Sequence, residues 1–146
     1  MGSFSQTVTI DASSADAWAL VNDVTRLAAI FPYMQVDQVT AAEPAGWRYR
    51  RQLMLPGLAT LCWHEHAWAA AEGDLHFQAE AGDLETFVGR WQVVSQGTGS
   101  ALTLTLDYAV PANLANNLPE PMVKLVVNQL FAKVCARIKE ALEECA

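Results

Sequence analysis

The chain has 146 residues, 52% of them hydrophobic and 17% charged, which suits a single soluble domain with a substantial core. A formal net charge of −7 excludes a nucleic-acid surface, which needs clustered Lys and Arg, and the nearest cluster, Arg48, Arg50 and Arg51, is short and lies in a predicted strand. No apolar run reaches membrane-spanning length, Met1 to Thr9 lacks the regions of a signal peptide, and Cys62, Cys135 and Cys145 show neither CxxC nor zinc spacing, so the expectation is a cytoplasmic protein with reduced thiols and no integral membrane segment.

Phe4, Gln6, Val8 and Ile10 alternate with Ser5, Thr7 and Thr9, the pattern of a half-buried strand. Ser13 or Ser14 then offers an N-cap for a helix over Ala15 to Asn22, with Trp18 and Val21 three apart on one face. A second short helix over Val24 to Ile30 must end before Pro32, because the residue preceding a proline is pushed out of the α region. Strands follow at Val36–Ala42, Trp47–Leu53, Ala59–Ala70, Leu75–Ala81, Glu85–Val94 and Ala101–Val110. Turn residues punctuate them: Pro44 and Gly46, Pro56-Gly57, Gly73-Asp74, Gly82-Asp83 and Gly97-Thr98-Gly99. Strands at this spacing predict one antiparallel sheet, mostly a meander. From about Pro121 to Glu143, Val123, Val127, Leu130, Phe131, Val134, Ile138 and Leu142 recur at helical spacing, with Lys124, Lys133, Arg137 and Lys139 among them. That is an amphipathic helix of about six to seven turns, long enough to cross a small domain. The order of elements, a sheet followed by one long apolar helix, favours an α+β domain spanning residues 1–146 with a cavity between sheet and helix.

Strand parity shows which side chains face that cavity. Leu102, Leu104, Leu106 and Tyr108 share one face; Phe87, Gly89, Trp91 and Val93 do so in the strand before, and Leu75, Phe77 and Ala79 in the one before that. The apolar parity of the third strand, Trp47, Tyr49 and Leu53, includes Arg51. The fourth strand is ambiguous: one face holds Leu61, Trp63, Glu65 and Ala67, the other Cys62, His64, His66 and Trp68. A turn at Pro56-Gly57 sets Arg51 opposite Trp63 and Tyr49 opposite Glu65, which makes Arg51 and Glu65 diagonal neighbours.

The opening "VTIDASSADAWALVNDV", the "FPYM" at Phe31 to Met34, and "GDLETFVGRW" with "LTLTLDYAVPANL" together resemble the helix-grip superfamily of START-related lipid-binding proteins, in its polyketide cyclase/dehydrase and coenzyme Q-binding branch. The resemblance covers nearly the whole chain. It implies a helix-grip fold: a curved seven-stranded antiparallel sheet around a long C-terminal helix, with two short helices after the first strand. It also implies a cavity for a small hydrophobic ligand, aromatic, prenylated or polyketide-like. The fold serves both carriers and enzymes, so the resemblance does not fix a reaction.

Three functions stay open: binding or carriage of such a ligand, polyketide cyclase/aromatase activity, and a protein-interaction module whose cavity is filled. "LCWHEHAW" has no arginine where aromatase/cyclases of this fold often carry one, and no Ser-His-Asp, nucleotide-loop or Cys-His pattern suggests another reaction. Candidate ligand-binding residues are Tyr49, Arg51, Trp63, Glu65, Phe87 and Trp91 within the cavity, with Phe31 and Met34 near its mouth. Arg51 and Glu65 can orient a ligand or polarise a carbonyl; the aromatic residues can stack on it or serve as plain core. Met122 is a further candidate at the entrance. His64 and His66 have a metal-compatible His-x-His spacing, with His76 as a loose third, but two sheet histidines are the simpler account. No metal or other cofactor is expected, and the expected partner is the small hydrophobic ligand.

Overall fold

The computed structural model describes residues 2–43, 46–55, 57, 59–111 and 118–144. Pro44 and Pro56, assigned to turns, lie outside the described residues; Gly57 beside the latter has a φ of 76°, the left-handed geometry that glycine accepts without strain. The element order is β1 (Gly2–Ile10), α1 (Ser14–Val21), α2 (Val24–Ala29), β2 (Met34–Ala41), β3 (Trp47–Leu55), β4 (Ala59–Ala71), β5 (Asp74–Gly82), β6 (Phe87–Gln96), β7 (Gly99–Tyr108) and α3 (Glu120–Glu144).

Each short helix begins where a side chain can satisfy its free amides. Ser13, not Ser14, caps α1 by accepting from the Asp16 amide at 3.1 Å, and Asp23 caps α2 by accepting from the Arg26 amide at 3.1 Å. Apart from the edge strand β2, the strands alternate in burial over most of their length. In β7 Leu102, Leu104 and Leu106 are fully buried while Thr105 and Asp107 face solvent. Most strand ends differ from the sequence expectation by one or two residues, and at two of them the expected strand overruns the observed one by two. Glu85 and Thr86 precede β6 and Ala109 and Val110 follow β7, because β6 and β7 pair only from Phe87 with Tyr108 to Gln96 with Gly99; beyond that ladder a single bond joins the Ala109 amide to the Thr86 carbonyl at 3.0 Å.

All seven strands form one antiparallel sheet in the order β1-β7-β6-β5-β4-β3-β2. Strands β2 to β7 are a meander, and β1 adds to its far side beside β7. The two short helices carry the chain from one edge of the sheet to the other. At the β2 edge the register slips between Asp37 and Thr40, and Gln38 takes a φ of 55°.

Helix α3 covers the inner face of the sheet. Val127, Leu130, Phe131, Val134 and Ile138 are all buried, and the Phe131 ring meets Phe4 of β1 at 6.2 Å and Phe87 of β6 at 6.0 Å. Its two ends are tied down. Tyr108 donates to Asn128 Oδ1 at 3.0 Å, while Lys139 Nζ donates to the Thr9 carbonyl at 2.6 Å and Glu143 accepts the Asp11 amide at 2.9 Å. Gly89 has a packing reason: a Cβ there would lie 2.1 Å from the Phe77 ring, which fills that space. No helix among the described residues is long and apolar enough to cross a membrane.

Candidate functional site

Strands β3 and β4 bring the polar candidates together. Their register sets Tyr49 opposite Glu65 and Arg51 opposite Trp63, the pairing expected from the sequence. The ambiguity in β4 resolves in favour of the Trp63 face: Leu61, Trp63, Glu65 and Ala67 are buried. His64 is exposed, and His66 and Trp68 are half-buried on the other face, where Trp68 stacks on His76 at 5.6 Å. Among the described residues no group of three His, Cys, Asp or Glu side chains is placed to hold a metal ion.

Glu65 has no exposed surface, and its carboxylate is filled by donors. Arg51 donates through Nε to both oxygens at 3.2 Å and through Nη2 to Oε2 at 3.0 Å. Trp63 donates its indole N–H to Oε1 at 3.0 Å, and the Tyr49 hydroxyl donates to Oε2. The Arg51 guanidinium also lies 5.3 Å from the centre of the Tyr49 ring. Among the described residues only Arg51, Glu65 and Ser100 are polar and buried, so this network is the one charged feature of an otherwise apolar interior.

The electrostatics follow from burial and from these partners. Burial pushes the Tyr49 hydroxyl well above its ordinary range, and the Glu65 carboxylate adds to the rise, so Tyr49 stays neutral. Burial alone would pull Arg51 down, but Glu65 and Tyr49 more than offset it, and the guanidinium stays charged. The proton of Tyr49 is engaged by Glu65, and so are Arg51 Nε and Nη2. Arg51 Nη1 takes part in no hydrogen bond among the described residues.

Two pockets flank the network. One is narrow, with about 20 Å³ of free volume, room for about one water molecule, and is bordered by Tyr49, Arg51, Trp91 and Phe77 from the sheet and by Val21, Asn22, Val24 and Leu27 from α1, α2 and the corner between them. The other, about 20 Å³ on the same measure, is bordered by Leu53, Leu61, Leu84, Phe87 and Tyr108 from the sheet side and by Val123 and Val127 of α3. Trp63 and Phe87, with ring centres 4.8 Å apart, pack beside the network. Of the predicted residues, Tyr49, Arg51, Trp63 and Glu65 form one connected group, Trp91 borders the first pocket and Phe87 the second. Phe31 and Met34 are buried and border neither; Phe31 packs edge-on against Tyr33 and Met34 pairs with Leu53. Met122 is exposed near the start of α3.

Sequence reasoning missed the helical wall of the first pocket. Asn22, Val24 and Leu27 carry no chemical signature, and a six-residue helix is too short for its periodicity to show a buried face. Trp47 was missed too, although it shares parity with Tyr49 and Arg51, a signal that points to the same pocket.

The arrangement sets one charged, partly engaged guanidinium beside the aromatic side chains of Tyr49 and Trp91, a hydrogen-bond donor in an apolar setting. The comparisons agree with that architecture. Residues 1–143 match the family model described as "Polyketide cyclase / dehydrase and lipid transport". No protein of curated function matches the sequence. Among solved structures, TTHA0849 from Thermus thermophilus is similar over 99% of both chains, with a TM-score of 0.86 at 20% identity. A START superfamily protein from Mycobacterium smegmatis is similar over the full length of both chains, with a TM-score of 0.81 at 17% identity. The Zhui aromatase/cyclase from Streptomyces sp. R1128 is similar over 97% of this chain and 91% of its own, with a TM-score of 0.72 at 16% identity. The fold is therefore the START-type helix-grip arrangement, and the chain belongs to the polyketide cyclase/dehydrase and lipid transport family.

Proposed function

We propose that this protein binds and carries a small hydrophobic ligand, aromatic, prenylated or polyketide-like, in the pocket between its sheet and the α1–α2 corner, with a polar acceptor of that ligand at Arg51. The observation that carries the reading is the ion pair in the apolar interior. A buried ion pair is weak evidence for stability, because desolvation offsets much of its attraction and apolar residues of similar volume often serve as well or better. Here the pair leaves Arg51 Nη1 unengaged beside a pocket walled by Tyr49 and Trp91. A carbonyl oxygen of a ligand accepts there while its ring packs against the aromatic side chains. Glu65 acts as a positioning residue that fixes the guanidinium. The guanidinium is balanced by the Glu65 carboxylate, which favours a neutral ligand over an anionic one.

Cyclase chemistry is the second reading, supported by the family model and by likeness to the Zhui aromatase/cyclase. It is the weaker one because ring closure by an aldol step needs a group that moves protons. The Glu65 oxygens are occupied by Arg51, Trp63 and Tyr49, and the Tyr49 proton is held by Glu65. Burial also pushes the Cys135 thiol up to about 12, which leaves it unreactive. We place the protein in the cytoplasm; Cys62 and Cys135 are both free thiols, as a reducing compartment keeps them.

The discriminating experiment separates fold from function at the pair. Arg51→Met or Glu65→Leu alone strands the remaining charge and should cost about 3–5 kcal/mol of stability. The double variant removes both charges and should be more stable than either single variant, yet bind an aromatic or prenylated ketone at least about tenfold more weakly than the native chain. Unchanged affinity in the double variant would make the pair structural only.

A further inference from the structure

The pocket at Arg51 adjoins a larger surface cleft of about 430 Å³. Val39 and Trp47 border this cleft from the sheet, and Asp23 and Thr25 border it from the corner between α1 and α2. Asn22, Val24 and Trp47 border both the cleft and the inner pocket. These three side chains are the partition between solvent and the guanidinium.

Trp47 is the largest of them and sits at the first position of β3. It shares the inward parity of Tyr49 and Arg51, yet it is 41% exposed where they are 3% and 7% exposed. The backbone before it is fixed: Gly46 has a φ of 100°, and a Cβ there would lie 2.0 Å from the Ala67 carbonyl oxygen of β4. The indole is thus anchored at its root and free at its rim. The opposing wall is a six-residue helix joined to α1 through Asn22 and Asp23, and Val39 sits in the bulge of an edge strand. Both walls are built from short or irregular segments, the parts of a fold that open most readily.

We propose that the ligand reaches Arg51 through this corner, between the α1–α2 junction and the start of β3, and that Trp47 controls which ligands pass and how fast. The inference rests on the ligand-binding function proposed above. It moves the way in from Phe31 and Met34, which are buried in the core. A flat apolar molecule with one polar end suits the passage: the indole face and Val39 guide its body, and Asn22 lies at both the outer and inner ends of the route.

The test uses Nile red, a flat neutral dye carrying a carbonyl, mixed in a stopped-flow instrument with the full chain. Trp47→Ala should raise both association and dissociation rates by about tenfold, because it widens the passage, whereas the loss of a pocket contact alone would raise only the dissociation rate. Trp47→Phe should fall between the native chain and Trp47→Ala. The Arg51→Met/Glu65→Leu protein should show the converse, weaker binding at an unchanged association rate. Native association rates in both Trp47 variants, with the dye still binding, would overturn the entrance and leave the binding function standing. Failure of the native chain to take up the dye at all would overturn the binding function and the entrance with it.

Discussion

At the scale of single residues, the network around Glu65 shows how strand parity and one turn can locate chemistry. Arg51 is the one charge on an otherwise apolar parity, and the register of β3 on β4 sets Tyr49 opposite Glu65, as expected from the turn residues in the sequence. What parity could not decide was the facing of β4, since either face carries a tryptophan. The structure decides it by satisfaction of polar groups: Glu65 finds donors in Arg51, Trp63 and Tyr49 only on the inner face. A consequence can be measured at Tyr49. Its folded-state value is raised above the ordinary phenol value, so the stability it contributes is complete below about pH 10 and is lost as pH rises beyond that. In the native protein the phenolate absorbance formed near pH 10 should be the same with and without Tyr49→Phe, and a difference should emerge only on unfolding. A Tyr49 phenolate forming near pH 10 in the folded protein would contradict the buried hydrogen bond to Glu65.

At the scale of elements, α3 was the most legible part of the sequence, because seven apolar residues at helical spacing leave one possible face. Val123, Val127, Leu130, Phe131, Val134, Ile138 and Leu142 are all buried, as that spacing predicts. Phe131 is 2% exposed and touches rings from both β1 and β6, so Phe131→Ala should cost about 3–5 kcal/mol in denaturant unfolding. A loss under about 1 kcal/mol would mean that the helix is not seated on the sheet as described. Strand boundaries were less legible. The ends of β6 and β7 are fixed by where the ladder between them stops, and nothing local to Glu85 or Val110 records that. Charged pairs link the elements' outer surfaces. Arg90 holds Asp74 below its ordinary carboxylate range, and Lys139 with the Asp11 amide does the same for Glu143. Groups depressed in this way contribute stability above about pH 4 and lose it as pH falls through their folded-state values. Asp74→Asn should therefore reduce the acid-side loss of stability below about pH 4, checked by urea unfolding across pH. An unchanged acid limb would show that the Arg90 pair is energetically silent, as many exposed pairs are.

At the scale of the whole molecule, an open sheet closed on one side by a long helix divides its interior between core and pockets. Here the layers of Leu102, Leu104 and Leu106 fill the centre, and the two pockets lie on either side of the Glu65 network. That division was only partly legible. The order of elements pointed to the fold, but pocket shape depends on how α1 and α2 meet β3, a contact between segments about 25 residues apart with no shared motif. A binding function makes stability depend on the ligand, since anything that binds only the folded state raises its melting temperature. The most direct measurement is native mass spectrometry of the full chain purified under mild conditions, in parallel with the Arg51→Met/Glu65→Leu variant. The account predicts a bound, extractable hydrophobic molecule bearing a carbonyl or similar acceptor on the native chain, and its loss from the variant. A native chain that carries no such molecule and takes up no aromatic or prenylated ketone when challenged, or a variant that retains the molecule fully, would contradict the assignment of Arg51 and its pocket as a binding site.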